Sequence, residues 1–137
     1  MKGNGNIARY GILYRPSPTV GLFSYFIKFC GGLKYCDQNN LVPIIDMKNH
    51  DNLYGGKNGE NSWEYFFEQP MGIGVDDVDA KDCIQIDVNP IQDFPYNGLL
   101  TPQDTNILDW RRIICKYIRI KHNNLKKYVN TKLDIAL

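Results

Sequence analysis

The alternation of apolar and polar positions predicts a strand, a helix and a second strand in the first third of the chain. Residues 10–14 (Tyr-Gly-Ile-Leu-Tyr) have the character of a strand. Over residues 22–36 the apolar positions recur at intervals of three and four, so they share one helical face. Turn-forming residues at 37–40 end this pattern, and residues 41–46 (Leu-Val-Pro-Ile-Ile-Asp) are typical of a buried strand that ends in a carboxylate. A unit of this kind predicts an α/β fold with parallel strands.

The later pattern predicts shorter elements. Residues 61–70 form a short helix, capped by Asn61 or Ser62 and ended by Pro70, and residues 83–88 form a strand. Thr101 and Pro102 begin a longer helix. Its amphipathic face is predicted to comprise Ile107, Trp110, Ile114, Tyr117 or Ile118, and Lys121. A second helix is predicted after residue 124, with Leu125, Tyr128, Val129 and Leu133. Basic residues along this end indicate either a solvated face or an attraction to phosphate.

Length and composition favour one domain. The chain has 137 residues, of which 43% are apolar and 23% charged, as in ordinary globular domains. Its net charge of +1 gives no strongly basic face, so a nucleic-acid partner is not expected. Residues 1–8 are predicted to be a disordered tail, and residues 101–133 to be a helical C-terminal part.

The cysteines predict no metal site and no oxidising compartment. Cys30, Cys36, Cys83 and Cys115 include no C-x-x-C pair, and the first two point about 120° apart on their helix. Buried, reduced thiols are therefore expected. Arg9 and Arg15 precede an apolar stretch that is similar to a signal-peptide core, but Lys28 interrupts it. We expect a cytoplasmic chain, rather than one in the secretory lumen, with no membrane span.

Several segments have alternative interpretations. Gly21, before the helix, indicates an anion site or a tight turn, and Gly31-Gly32 indicate close packing on the sheet or an early helix end. Residues 48–59 form either the rim of a binding site or a plain surface loop. The aromatic residues around Trp63 form either core or a shelf for a sugar ring. Asp77-x-Asp79 matches a metal-binding D-x-D pattern, but it precedes a strand instead of following one, which favours a solvated turn.

Three segments together resemble the N-terminal half of fucosyltransferase-like glycosyltransferases, the superfamily of the α1,6- and protein O-fucosyltransferases. They are Gly21-Leu22-Phe23-Ser24 with its helix and the strand ending at Asp46, the segment Asn61-Ser62-Trp63-Glu64-Tyr65-Phe66-Phe67-Glu68-Gln69-Pro70, and residues 110–127 with Lys-Tyr-Ile-Arg-Ile-Lys. The likeness spans nearly the whole chain, and the aromatic segment is its most specific part.

The resemblance implies a Rossmann-like three-layer domain that forms one half of a GT-B fold. It also implies transfer of fucose from GDP-fucose with inversion and without a metal or other cofactor. By the same resemblance, substrate would be bound by Gly21, Leu22, Phe23, Ser24, Asp46, Trp63 and Glu64, while the catalytic residues stay unassigned. Two features depart from the family pattern. Tyr25 stands where O-fucosyltransferases have an Asn near the donor, and the family's H-x-R-x-T-D segment does not occur among the 137 residues.

Two functions follow as hypotheses. The chain is either the acceptor-side domain of a glycosyltransferase, or a non-catalytic module that binds carbohydrate or a partner chain. The first requires a sugar nucleotide, a glycan or protein acceptor, and a second, C-terminal catalytic domain, without which the chain is expected to be inactive. The second hypothesis uses the aromatic segment as the contact surface.

Overall fold

The computed structural model describes residues 8–17, 19–54, 59–91 and 105–121, which form an α/β fold. Its helices and strands are β1 (Tyr10–Tyr14), α1 (Leu22–Gln38), β2 (Val42–Ile45), β3 (Phe67–Glu68), β4 (Cys83–Asp87), α2 (Thr105–Tyr117) and β5 (Arg119–Ile120). Short 3₁₀ turns lie at Ser62–Tyr65, Val75–Asp77 and Ala80–Asp82.

The main sheet has three strands in the order β2-β1-β4, and both pairings are parallel. Ile12 lies opposite Ile44 in β2 and opposite Gln85 in β4. The predicted strand–helix–strand unit with parallel strands is therefore confirmed. β3 and β5 form a separate antiparallel pair.

Helix α1 is longer than its apolar pattern alone suggests, and its end has a clear cause. Asn40 has a φ of 56°, a left-handed conformation that Asn tolerates better than most residues. The amide of Leu41 donates to the carbonyl of Cys36 at 2.9 Å, and that of Asn40 to Asp37 at 3.5 Å, which is the pattern of a Schellman motif. Gly31 and Gly32 both lie inside the helix, so an early helix end is excluded.

Both faces of the sheet are covered. Leu13 and Ile45 belong to the core cluster that α1 completes with Phe29 and Leu33. Ile12 and Ile44 lie on the opposite face, because side chains alternate along a strand, and they are also buried. A Rossmann-like arrangement requires such two-sided burial of a parallel sheet.

Helix α2 packs against α1 through Trp110, Ile113 and Tyr117, which are all buried. Ile113, not the predicted Ile114, faces the core. The prediction that this helix continues to Lys121 is wrong, because α2 ends at Tyr117 and the next residues form β5. Residues 119–120 follow the helical spacing in sequence, but they pair with β3 instead. The backbone amide of Lys121 extends this pairing by donating a hydrogen bond to the carbonyl of Phe66 at 2.9 Å.

The segment at residues 61–70 is also not the predicted helix. A single 3₁₀ turn, capped by the side chain of Asn61 as predicted, leads directly into β3. The reason is a competing set of hydrogen bonds to the edge of β2, described below. Residues 1–7 of the tail predicted at 1–8, the Thr101-Pro102 helix start and the second helix after residue 124 lie outside the described residues.

Candidate functional site

The predicted residues at the start of α1 lie beyond the carboxyl end of β1. Gly21 precedes the helix with φ −77° and ψ 167°, a conformation open to any residue. The amide of Leu22 donates to the hydroxyl of Tyr54 at 2.6 Å. Phe23 is 61% exposed. A first-turn amide of α1 is thus already bonded within the protein, and this geometry favours the tight turn at Gly21 over an anion site.

Arg15 connects the carboxyl ends of β1 and β4 with α1. Its Nε donates to Oδ1 of Asn89 at 2.8 Å, and its Nη1 donates to the carbonyl and hydroxyl oxygens of Ser24, both at 2.7 Å. Asn89 also donates to the hydroxyl of Ser17 at 3.2 Å. The strand order reverses between β1 and β4, the place where open α/β sheets commonly bind ligands. Here protein side chains bond to one another across that crevice.

Asp46, the carboxylate at the end of β2, is 3% exposed. Its Oδ1 accepts hydrogen bonds from the amides of Lys48 and Asn49, both at 2.9 Å, and its Oδ2 accepts from the side chain of Asn49 at 3.0 Å. Asp46 therefore shapes the turn that carries Lys48.

Two buried side-chain amides attach residues 61–70 to the outer edge of β2. Oε1 of Gln69 accepts from the amide of Ile45 at 2.9 Å, and its Nε2 donates to the carbonyl of Ile45 at 2.8 Å. Asn61 donates to the same carbonyl at 2.8 Å and accepts from the amide of Met47 at 3.0 Å. These contacts satisfy backbone groups that a neighbouring strand would otherwise bind, and they fix the segment beside the sheet.

Trp63, the centre of the aromatic segment, is 1% exposed. Its ring meets Phe29 edge-on at 5.6 Å between centroids and stacks on Phe67 at 4.2 Å. Of the two interpretations of this segment, core packing therefore applies to Trp63. Tyr65, at 37% exposed, is the aromatic side chain of the 3₁₀ turn that solvent reaches.

A cleft of about 330 Å³ lies beside the carboxyl end of β2. The turn after β2 contributes Lys48, the 3₁₀ turn at Ser62–Tyr65 contributes Glu64 and Tyr65, and the position just after β5 contributes Lys121. The 3₁₀ turn at Val75–Asp77 also lines the cleft. The volume of the cleft is at the lower end of the range for small-molecule sites.

Acidic groups outnumber basic ones around this cleft. Glu60, Glu64, Asp76 and Asp77 face two ammonium groups. One of these, on Lys48, pairs with Asp76 at 2.6 Å, and the other, on Lys121, donates to the carbonyl of Glu64 at 2.7 Å. The hydroxyl of Tyr65 donates to Glu60 at 3.1 Å. Loss of water around the Tyr65 ring and the Glu60 carboxylate raise the pKa of this phenol, which stays protonated at neutral pH.

Of the predicted site residues, Glu64 lines the cleft, and Asp46 supports its wall through the backbone of Lys48. Gly21, Leu22, Phe23, Ser24 and Trp63 are not among its lining residues. The predicted rim at residues 48–59 contributes Lys48 and Gly59. Lys121 was not predicted as a site residue, because the helical spacing of residues 107–121 concealed β5. Asp76 was not predicted either, because a turn rich in acidic residues does not indicate which of them faces a cleft.

The D-x-D pattern belongs to exposed turns. Asp77 accepts the amide of Gly74 at 2.8 Å, which closes the 3₁₀ turn at Val75–Asp77, and Asp79 precedes the next one. Nowhere in the described part of the chain do three or more His, Cys, Asp or Glu side chains form a group suited to a metal ion.

Comparisons with known proteins leave the family open. No protein-family model, curated protein or solved structure matched the chain. Across the described ranges, no helix combines the length and the apolar character that crossing a bilayer requires.

Proposed function

We propose that this chain is the acceptor-side domain of a glycosyltransferase that moves a sugar from a sugar nucleotide, by resemblance fucose from GDP-fucose, to a glycan or protein acceptor. A second domain would carry the donor and complete the catalytic cleft. The chain alone is then expected to bind substrate and to transfer nothing.

One observation carries the proposal. The segment at residues 61–70, the most specific part of the resemblance, is attached to the carboxyl end of a parallel strand and forms one wall of a solvent-open cleft. Ligands of open α/β sheets bind at the carboxyl ends of the strands. The motif and the expected position of a ligand thus coincide.

The charge of the cleft supports the acceptor side over the donor side. A nucleoside diphosphate carries negative charge, and four carboxylates surround this cleft while both ammonium groups are engaged. Like charges in a partly desolvated site repel each other. Under this proposal, the groups that stabilise the departing diphosphate come from the second domain.

Inverting transfer also needs a base that takes the proton from the acceptor hydroxyl. Of the two carboxylates predicted from the sequence, Glu64 lines the cleft, whereas Asp46 does not and uses both of its oxygens within its own turn.

A reconstitution experiment tests this function. The chain is co-expressed with the product of the reading frame that follows its gene, and the pair receives radiolabelled GDP-fucose and a pool of glycans and glycoproteins. We expect label in the acceptor fraction with both chains present and none with either chain alone. GDP-mannose and the common UDP-sugars serve as alternative donors.

Absence of transfer from every donor would contradict the proposal. If the chain still bound glycans in that case, it would be a non-catalytic carbohydrate-binding module. Transfer by this chain alone would also contradict the need for a second domain.

A further inference from the structure

We infer that the cleft beside β2 takes an uncharged sugar, and that the carboxylate of Glu64, positioned by Gln69, binds its hydroxyl groups. This inference rests on the proposed function and specifies the chemical class of the acceptor.

The position of Glu64 is set by a buried neighbour. Its Oε2 accepts a hydrogen bond from Nε2 of Gln69 at 2.9 Å, and no hydrogen bond joins Oε1 to any residue that the structure describes. Glu64 is half-buried on the cleft wall, so one carboxylate oxygen is held while the other has acceptor capacity left for a ligand.

The amide of Gln69 has one orientation that satisfies its surroundings. Gln69 is 7% exposed, and its Oε1 accepts from the amide of Ile45, so its nitrogen must face the carbonyl of Ile45 and the carboxylate of Glu64. A flipped amide would place its NH₂ group against the N–H of Ile45, and its oxygen against two acceptors, the carbonyl of Ile45 and the carboxylate of Glu64. The backbone of β2 thereby fixes the direction of the Glu64 carboxylate.

The remaining groups favour hydroxyls over anionic ligands. Tyr65 offers an exposed ring and a phenol, and Lys48 and Lys121 are each bonded to protein oxygens. An anionic ligand would meet four carboxylates and two ammonium groups, of which the one on Lys48 is already paired with Asp76. A neutral sugar supplies donors for the carboxylates and a C–H face for the ring.

Titration of the full chain, labelled with ¹⁵N, tests the inference by NMR. Lactose and N,N′-diacetylchitobiose are the uncharged probes, 3′-sialyllactose and GDP the anionic ones, and glucosamine the cationic one. We expect at least one uncharged disaccharide to bind tighter than every charged probe, with shifts at the backbone amides of Lys48, Tyr65 and Lys121. The side-chain amide of Gln69 should shift in the same titration, because it donates to the carboxylate that the sugar engages.

Two matched variants identify the carboxylate. Glu64→Gln keeps the size of the side chain and an acceptor for Gln69, and it should weaken sugar binding about tenfold or more, because hydrogen bonds to a charged acceptor are stronger. Glu68→Gln removes an exposed carboxylate on the same segment that does not line the cleft, and it should bind within about twofold of the wild type.

Tighter binding of GDP, 3′-sialyllactose or glucosamine, or binding of no sugar, would overturn the inference. Undiminished binding by a folded Glu64→Gln variant would overturn it as well. These results are separable from failure of the proposed function, since the reconstitution assay reads transfer by the wild-type pair and does not depend on which residue holds the acceptor.

Discussion

At the scale of single residues, Gly32 inside α1 and Gly21 just before it lie in different surroundings, so a side chain would have a different effect at each position. A Cβ on Gly32 would lie 2.9 Å from methyl carbons of both Leu13 and Val88, which are fully buried. A Cβ on Gly21 would have only the hydroxyl of Tyr54, at 3.9 Å, within 4 Å. The helix touches the sheet at Gly32, whereas Gly21 meets no such constraint.

We therefore expect Gly32→Ala to reduce the free energy of unfolding by up to about 2 kcal/mol. Overpacking of a tight core costs about 1–3 kcal/mol, and the better helix propensity of Ala returns about 1 kcal/mol. Urea denaturation measures the difference. Gly21→Ser is the control, and it should stay within about 0.5 kcal/mol of the wild type, because Ser is a favourable residue before a helix. Unchanged or increased stability of Gly32→Ala would show that the helix is free to move away from the sheet.

At the scale of elements, α1 and α2 are joined by a charged cluster at Asp37. Its carboxylate accepts hydrogen bonds from Lys116 at 2.8 Å, Arg112 at 2.9 Å and Tyr117 at 2.9 Å. The hydrogen bond from Lys116, followed by those from Arg112 and Tyr117, outweighs partial burial and lowers the pKa of Asp37 to about 2. The carboxylate is therefore more acidic in the folded chain than in the unfolded one.

This cluster predicts an acid-sensitive contribution to stability. Above about pH 4 Asp37 is ionised in both states, and the folded state keeps its full advantage of about 1–2 kcal/mol. As the pH falls from about 4 to 2, the unfolded chain takes up the proton first, so the advantage is lost. Denaturation of the wild type and Asp37→Asn between pH 2 and 7 measures it. The variant should be less stable at pH 7 by about this amount and should lose less stability on acidification.

Asp51→Asn, which changes an exposed carboxylate, is the control and should follow the wild-type profile. Parallel profiles for Asp37→Asn and the wild type would mean that the cluster contributes nothing to the pairing of the helices.

At the scale of the whole molecule, the thiols report how the core opens. Cys30 and Cys36 are fully buried in α1, and burial raises the pKa of each to about 12. Cys115 is exposed on α2. Cys83 is half-buried, and partial burial together with the carboxylates of Asp82 and Asp79 raises its pKa.

In labelling with a chromogenic disulfide at pH 8, Cys115 should therefore react fast and Cys83 slowly. Cys30 and Cys36 should react only when α1 separates from the sheet. At a pKa of about 12 the thiolate fraction at pH 8 is about 10⁻⁴, and solvent access is a further barrier. Cys115→Ser should remove the fast phase alone. Four equal rates in the native protein would contradict the described packing.

The parallel sheet and α1 could be predicted because local signals there agree with the tertiary structure. The apolar spacing of α1 matches its buried face, and the polar run at residues 37–40 contains the Asn40 that ends it. β5 could not be predicted, since Arg119 and Ile120 continue the helical period and become a strand through their distant pairing with β3. The cleft shows the same limit. Glu64 was a candidate from its motif, but Lys121 joins it from 57 positions away.

The free edge of β2 determines whether further strands can be added to this sheet. The backbone amides of Val42 and Asp46 donate to β1 and to the residue before it, so the backbone N–H and C=O positions of residues 43, 45 and 47 lie on the outer edge of β2, away from β1. Proline has no amide hydrogen to offer, and the outward groups of Ile45 and the amide of Met47 are taken by Gln69 and Asn61. A further strand could not form regular backbone hydrogen bonds with this edge of β2. This applies equally to a strand of another domain and to one of an aggregating chain. A strand added to this sheet would have to pair with the edge strand β4. The β2 edge, beside the cleft, is protected against edge-to-edge association with another chain.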